Sequence, residues 1–235
     1  MEEQLYTVGI VIADKDEYVH VMKELGTDAV ACDICGLIGH TAVLHANGHD
    51  IRVRTVCSGI GKVNAAAGAM HLCDAGCTYI LNFGLSGGIS GVKRGETVLP
   101  DKFLEHDFDL TGIGYKPCEK PSQKYIYDAS GTLLKKAQMA LGVTAGGTAV
   151  CGDRFICSAA DREFLRDTFS ATTCDMETAA IASVCDMASV PYLSVRRVSD
   201  DAGDDAYSSY KDMNICDGQT LSEIFLKVLE VIKEV

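Results

Sequence analysis

Tryptophan is absent from the 235 residues and proline occurs only four times. The chain therefore has no proline-rich linker, and nothing in it reads as a low-complexity or disordered tract. Basic residues are also short: 21 Lys and Arg stand against 33 Asp and Glu, a formal net charge of -12. A partner held mainly by its phosphate charge is excluded, because nucleic-acid affinity comes largely from Lys and Arg neutralising the backbone. A small neutral or cationic ligand remains open. No window holds the ~18 consecutive apolar residues that a membrane span requires. The start, Met1-Glu2-Glu3-Gln4, is acidic where a secretory signal would be basic and then apolar. A cytoplasmic protein with no membrane partner is expected.

What is present suits a globular protein. Hydrophobic residues make up 47% and charged residues 23%, ordinary proportions for a soluble domain. A chain of this length buries about three quarters of the surface its unfolded form exposes and needs no staple. The 11 cysteines are an odd number, scattered from Cys32 to Cys216, mostly within apolar stretches such as Thr55-Val56-Cys57 and Ala149-Val150-Cys151. Free cysteine behaves there as a small hydrophobe, in keeping with a reducing compartment. Cys32 and Cys35 form a lone C-x-x-C without the second ligand pair of a zinc site. They are read as structural thiols, and no metal or cofactor is expected.

Apolar, β-branched runs recur at Thr7 to Ala13, Ile51 to Cys57, Tyr79 to Gly84, Thr148 to Cys151 and Tyr192 to Val198. Such runs suit strands buried on both faces. Helical patterns lie between them. Glu17 to Leu25 carries Tyr18, Val21, Met22 and Leu25 at i, i+3, i+4 and i+7, and Lys62 to Ala75, Thr132 to Leu141 and Thr178 to Ala188 follow. Thr220-Leu221-Ser222-Glu223 reads as a capping box opening a last helix, with Leu221, Ile224, Phe225, Val228 and Ile232 on one face. With no repeat and no linker, residues 1–235 are expected to form one α/β domain, with a mostly parallel sheet wrapped by helices.

In such sheets ligands bind beyond the carboxyl ends of the strands. Those ends read Asp14-Lys15-Asp16-Glu17, Ser58-Gly59-Ile60-Gly61-Lys62, Gly84-Leu85-Ser86-Gly87-Gly88, Asp175-Met176-Glu177 and Ser199-Asp200-Asp201. Three carboxylate clusters and two glycine-rich turns thus share one rim. Any one of these acids could merely complement a helix dipole. All three together suggest acid/base work on a sugar bond, or a site for an oxygen-loving cation. The first is preferred, because no G-x-x-x-x-G-K-[ST] loop accompanies a Mg²⁺ site.

Three motifs mislead. Gly84-Leu85-Ser86-Gly87-Gly88 fits the G-x-S-x-G nucleophile elbow, but the only histidine after Ser86 is His106. The base that would activate Ser86 is missing. Gly59-Ile60-Gly61-Lys62-Val63-Asn64 lacks the third glycine of a dinucleotide fingerprint. His106-Asp107-Phe108-Asp109 could hold a metal but reads better as a surface loop or interface segment.

The motifs then resemble a family. Gly9-Ile10-Val11-Ile12-Ala13 with Asp16-Glu17, and Ser58-Gly59-Ile60-Gly61-Lys62-Val63-Asn64-Ala65-Ala66, are similar to the bacterial methylthioadenosine/S-adenosylhomocysteine nucleosidases of the nucleoside phosphorylase superfamily. The likeness continues through Asn82 to Gly88, His106 to Thr111 with Gly114-Tyr115, Gly152-Asp153-Arg154-Phe155-Ile156, Asp175 to Ala182, and Val195 to Asp200, in the family's order over nearly the whole chain. The resemblance implies a twisted, partly barrel-like mixed sheet flanked by helices, a homodimer, and a role in methionine salvage. It also implies hydrolysis of the N-glycosidic bond of a 5′-substituted adenosine.

By that resemblance Asp200 is the general acid at the purine N7, Glu17 activates water, and Glu177 holds the ribose hydroxyls. Phe155 stacks on adenine while the Ile156 backbone meets its edge. Met176 lines the ribose and Ser86 joins the substrate-binding residues, with Ile60 and Tyr210 near the 5′ group. Leu110 and Ile113 reach a neighbouring subunit's site, and Arg196 orients Glu177. Seen alone, Phe155, Met176 and Ile60 would be ordinary core residues. A phosphorylase is the nearest alternative, since the superfamily holds both. Yet Ala13-Asp14-Lys15-Asp16-Glu17 and Thr78-Tyr79-Ile80-Leu81 lack the arginines by which related phosphorylases hold phosphate. A non-catalytic nucleoside binder would need no water-activating carboxylate. The chain departs from the family at Asp14, Leu85 and Arg197, which bears on the 5′ substituent it prefers.

Overall fold

Thr7–Ile12 (β1), six consecutive buried residues, is the strand around which the rest is arranged. The computed structural model describes residues 6–232 except 27, 35, 47, 48, 145 and 217, and the backbone alone at 33, 34, 45, 46, 49, 213–216 and 218–220. Side chains alternate along a strand, and β1 uses both faces. Val8, Ile10 and Ile12 pack with Tyr18, Val21, Phe225 and Val228. Val11 packs with Ala65, Ala69, Ile80 and Ala179 on the other side. The first set comes from Lys15–Leu25 (α1) and Gly218–Ile232 (α7), joined by Gly131–Leu141 (α3). The second comes from Lys62–Asp74 (α2) and Thr178–Ala188 (α5). Small alanines on α2 and α5 let these two helices pack closely against each other and the sheet.

The sheet runs Val30–Ile34 (β2), Leu37–Ala46 (β3), His49–Cys57 (β4), β1, then Tyr79–Gly88 (β5). Beyond β5 come Ala171–Asp175 (β10), Thr148–Cys151 (β9), Lys102–Glu105 (β7) and Ile126–Asp128 (β8). Tyr192–Asp200 (β11) pairs with β5 and with the short Thr97–Val98 (β6). Helices Ala159–Phe169 (α4) and Ala206–Cys216 (α6) complete the fold.

The α/β class expected from the sequence is present, but the mostly parallel sheet is not. Five of the ten strand pairings among the described residues are antiparallel, so the sheet is mixed, as the resemblance implied. The last helix also starts earlier than the capping box placed it, at Gly218; the Thr220 side chain lies outside the described residues. The nine described cysteines are free, and Cys35 of the C-x-x-C lies outside the described residues. Among the described residues no helix is long and apolar enough to cross a membrane.

One feature of the sheet makes the site. β11 follows one edge of β5 from Ile80 to Gly87. Along the other edge β1 pairs only as far as Asn82, and β10 takes over at Gly87. Between them the edge of β5 is open, and the turns after β1, β4, β10 and β11 close around the gap.

Candidate active site

A cavity of about 500 Å³ occupies this gap. Its wall includes Glu17, Ile60, Ser86, Phe155, Ile156, Met176, Glu177, Arg196, Asp200 and Tyr210, all expected from the sequence. Leu110 and Ile113 do not line it. They belong to the turn Thr111–Ile113 and the residue before it, and Ile113 is 72% exposed.

Glu17 reaches the open edge because Asp14 caps α1. Asp14 Oδ1 accepts the Asp16 and Glu17 amides at 2.7 and 3.4 Å, which leaves the Glu17 side chain free to turn inward. There Glu17 Oε1 accepts the Leu85 N–H at 3.1 Å, a strand amide left without a sheet partner. Gly84 is required at this point: a Cβ would stand 2.2 Å from Arg196 Nη1 and 3.3 Å from Glu17 Oε2. Burial raises the Glu17 pKa to about 8, against the pull of the Arg196 charge.

Glu177 begins α5, yet it does not cap the helix. Asp175 does so instead, accepting the Glu177 and Thr178 amides at 2.9 and 2.8 Å and the Thr178 hydroxyl at 2.8 Å. Glu177 is thereby released into the cavity, where Oε1 accepts the Gly61 N–H at 3.0 Å. Gly61 has φ +99° and faces Asp153, a conformation few other residues adopt. Arg196, 2% exposed, lies 3.4 Å from Asp175 and 3.7 Å from Glu177. Burial raises the Glu177 pKa and the Arg196 charge lowers it in part.

Asp200 ends β11 after a bulge at Ser199, a device that re-aims a side chain. Its Oδ1 accepts the Ala202 N–H at 2.8 Å and its Oδ2 the Ser199 hydroxyl at 2.6 Å. Burial raises its pKa too, more than these two donors lower it. Gly87 packs close beneath it: a Cβ there would lie 3.1 Å from Asp200 Oδ1, so the carboxyl would have to shift by a few tenths of an ångström to admit one. Ser86 Oγ is buried in the same wall without a hydrogen-bond partner among the described residues. Phe155 and Tyr210 meet edge to face, centroids 5.7 Å apart.

The cavity also takes in Arg154, Cys174 and Tyr207, to which the sequence reading gave no place in the site, and Asp14, Asp175 and Ser199, which it set on the rim without a catalytic or binding role. Tyr207 precedes Tyr210 by one helical turn on α6, a spacing that could have marked it. Of the departures, Asp14 and Leu85 line the cavity and Arg197 does not. The His106–Asp109 segment is committed elsewhere. Asp107 pairs with Lys62 at 2.5 Å and accepts the Asp153 N–H at 2.9 Å, and Asp109 accepts the Thr111 N–H at 2.7 Å. Among the described residues no three His, Cys, Asp or Glu side chains gather as metal ligands.

Both arginines of the cavity are engaged. Arg196 faces carboxylates, and Arg154 Nη2 pairs with Asp161 at 2.5 Å. The site is thus a slot with an aromatic side and four buried carboxyls, of which Asp175 is spent on the cap of α5; among the described residues each of its arginines lies in an ion pair, although Arg196 Nε and Nη2 make no hydrogen bond.

Known proteins share this sequence pattern and fold. Residues 7–230 match the model of the phosphorylase superfamily. The chain is 31% identical over 207 residues to a 5′-methylthioadenosine/S-adenosylhomocysteine nucleosidase of Shewanella frigidimarina (strain NCIMB 400), covering 85% of this chain and 88% of the relative. In fold it is similar to the nucleosidase of that name from Helicobacter pylori with butyl-thio-DADMe-Immucillin-A (TM-score 0.91, 23% identity, 99% and 100% of the two chains). It is also similar to the futalosine hydrolase of Helicobacter pylori strain 26695 (TM-score 0.90, 23% identity, 98% and 99%).

Proposed function

Since the chain belongs to the phosphorylase superfamily and, within it, to the 5′-methylthioadenosine/S-adenosylhomocysteine nucleosidases, an N-glycosidase family, we propose that it hydrolyses methylthioadenosine and S-adenosylhomocysteine to adenine and the 5′-substituted ribose. The observation that carries this reading is the convergence of Glu17, Glu177 and Asp200 in one cavity whose arginines are already paired.

Cleavage is hard because an adenine anion leaves reluctantly. Asp200, whose carboxyl burial shifts toward the protonated form, gives N7 a proton as the bond breaks. The carboxylate it becomes is received by the Ala202 N–H and the Ser199 hydroxyl, donors already in place and stronger toward the anion. Positive charge then grows on the ribose, and anionic Glu177, fixed by Gly61 and Arg196, favours it while holding the hydroxyls. Glu17 positions water at the open edge of β5. At pH 7 a carboxyl near 8 is about nine-tenths protonated, so its base form is the minor one until the developing ribose cation draws the proton off. Two carboxyls flanking the bond with room for water between them is the arrangement of an inverting glycosidase. Phe155 and Ile156 serve the adenine, Met176 and Ser86 the ribose side, and Ile60 and Tyr210 the 5′ group.

A phosphate nucleophile would find the cavity's two arginines already facing carboxylates, and each site carboxyl that is ionised would repel it by roughly 4 kcal/mol at 4 Å and an effective dielectric near 20. The same reading makes residues 1–235 one functional domain in the cytoplasm, acting in methionine salvage. It also makes the chain a homodimer in which Leu110 and the exposed Ile113 reach the partner's cavity. The test is adenine release from methylthioadenosine, S-adenosylhomocysteine and 5′-deoxyadenosine by wild type and Asp200→Asn. Turnover of the first two that disappears in the variant is expected; near-normal kcat in the variant rejects the role given to Asp200.

A further inference from the structure

β1 and β11 flank β5 on opposite edges. At about 4.8 Å per strand, the two strands run about 10 Å apart across the sheet. The nucleosidase reading gives Asp200, Phe155 and Ile156 to the base and Ile60 and Tyr210 to the 5′ group; Asp14, just after β1, lines the same cavity, and its charge acts on Tyr210. In a nucleoside laid between them, the group opposite the base is the 5′ substituent.

The chemistry at that 5′ end is specific. Asp14 is half-buried and lines the cavity, and only its Oδ1 is used, as the cap of α1. Among the described residues Oδ2 has no hydrogen bond and the carboxylate no ion pair. Its surroundings are acidic and aromatic: Asp16 and Glu17 follow it, and Tyr210 and Tyr207 share the wall. The Tyr210 hydroxyl, pushed up to about 12 by burial first, feels the Asp14 charge next. Lys15 is the adjacent cation, and it is exposed outside the wall of the cavity. A carboxylate with a free oxygen and two tyrosine rings beside it is a setting for a cation.

We infer that Asp14 is a specificity-determining residue, selecting 5′-thioether substrates whose tail carries an ammonium group over neutral tails of the same size. The inference rests on the nucleosidase reading above and adds the charge of the preferred tail to it.

The test pairs two substrates of equal shape, 5′-(3-aminopropylthio)-5′-deoxyadenosine and 5′-butylthio-5′-deoxyadenosine, with methylthioadenosine as reference. Wild type is expected to favour the amine about tenfold in kcat/KM, carried by KM, the equivalent of 1.4 kcal/mol. Asp14→Asn keeps the helix cap, since Asn and Asp cap equally well, and should reduce the ratio to within about twofold of unity; circular dichroism checks that it folds. The wild-type ratio is itself decisive if the variant does not fold. Equal wild-type values, a preference that survives in Asp14→Asn, or refusal of both tails while methylthioadenosine is cleaved overturns this proposal alone. No adenine from any of the three substrates overturns it together with the nucleosidase reading.

Discussion

Replacing Arg196 with methionine removes the one cation that, among the described residues, is buried among the site's acids, and leaves an unbranched side chain of similar length. The guanidinium lies 3.4 Å from Asp175 and 3.7 Å from Glu177. At an effective dielectric near 20 those separations correspond to about 4.9 and 4.5 kcal/mol of attraction. The net loss is smaller, because carboxyls stranded in the interior can take up protons. Breaking a buried pair by deleting one partner costs about 3–5 kcal/mol. For a chain of this size that lowers Tm by about 6–20 °C, at 2–4 °C per kcal/mol. The loss should depend on pH in a known direction. The folded pKa of Glu17 is raised above its unfolded value, so its contribution is intact below about 4.5 and is lost as pH climbs through about 8. Removing Arg196 pushes that pKa, and that of Glu177, higher still, so the deficit widens on the alkaline side. Circular-dichroism melts of wild type and Arg196→Met at pH 5 and pH 8.5 read both effects. A deficit under about 1 kcal/mol, or one equal at the two pH values, would refute the electrostatic account of the site.

Two further outcomes follow from the same geometry. Gly84→Ala drives a Cβ to within 2.2 Å of Arg196 Nη1, so it should cost about 1–3 kcal/mol and about 100-fold in kcat/KM through misplacement of Arg196 and Glu17. Gly131→Ala, with nothing within 4 Å of its Cβ, should change neither in the same assays. Glu17→Gln keeps an acceptor for the Leu85 N–H and removes the buried charge. Its Tm relative to wild type should therefore climb from pH 5 to pH 8.5 while adenine release falls about 100- to 10,000-fold; a pH-independent Tm difference would contradict the raised pKa.

The strand ends were legible in the sequence because buried strands are written as unbroken apolar runs, and ligand-facing residues follow them. Thr148–Cys151 and Thr178–Ala188 have the bounds expected of them, and Glu17, Glu177 and Asp200 do share one cavity. The hairpin of β2 and β3 was not legible. Its exposed Val30, Ile38 and Val43 and its polar His40 and Thr41 make no run, and overlooking it turned a mixed sheet into a mostly parallel one. β10, with its two threonines, is too short and polar to announce itself. Within the site, adjacency in sequence concealed a division of labour. Asp175 and Glu177 look alike beside a helix start, and only the fold separates the residue that caps α5 from the one that faces substrate. Asp14 combines a cap and a cavity wall in one side chain, which spacing alone could not disclose.

The central claim is that water, received by three buried carboxyls, breaks the bond between adenine and ribose. Turning over methylthioadenosine in ¹⁸O-labelled water, with and without inorganic phosphate, and identifying the sugar by mass spectrometry tests it directly. Free methylthioribose with one ¹⁸O at C1, formed at the same rate in both buffers, is the predicted result; a sugar 1-phosphate that forms only when phosphate is present would contradict it.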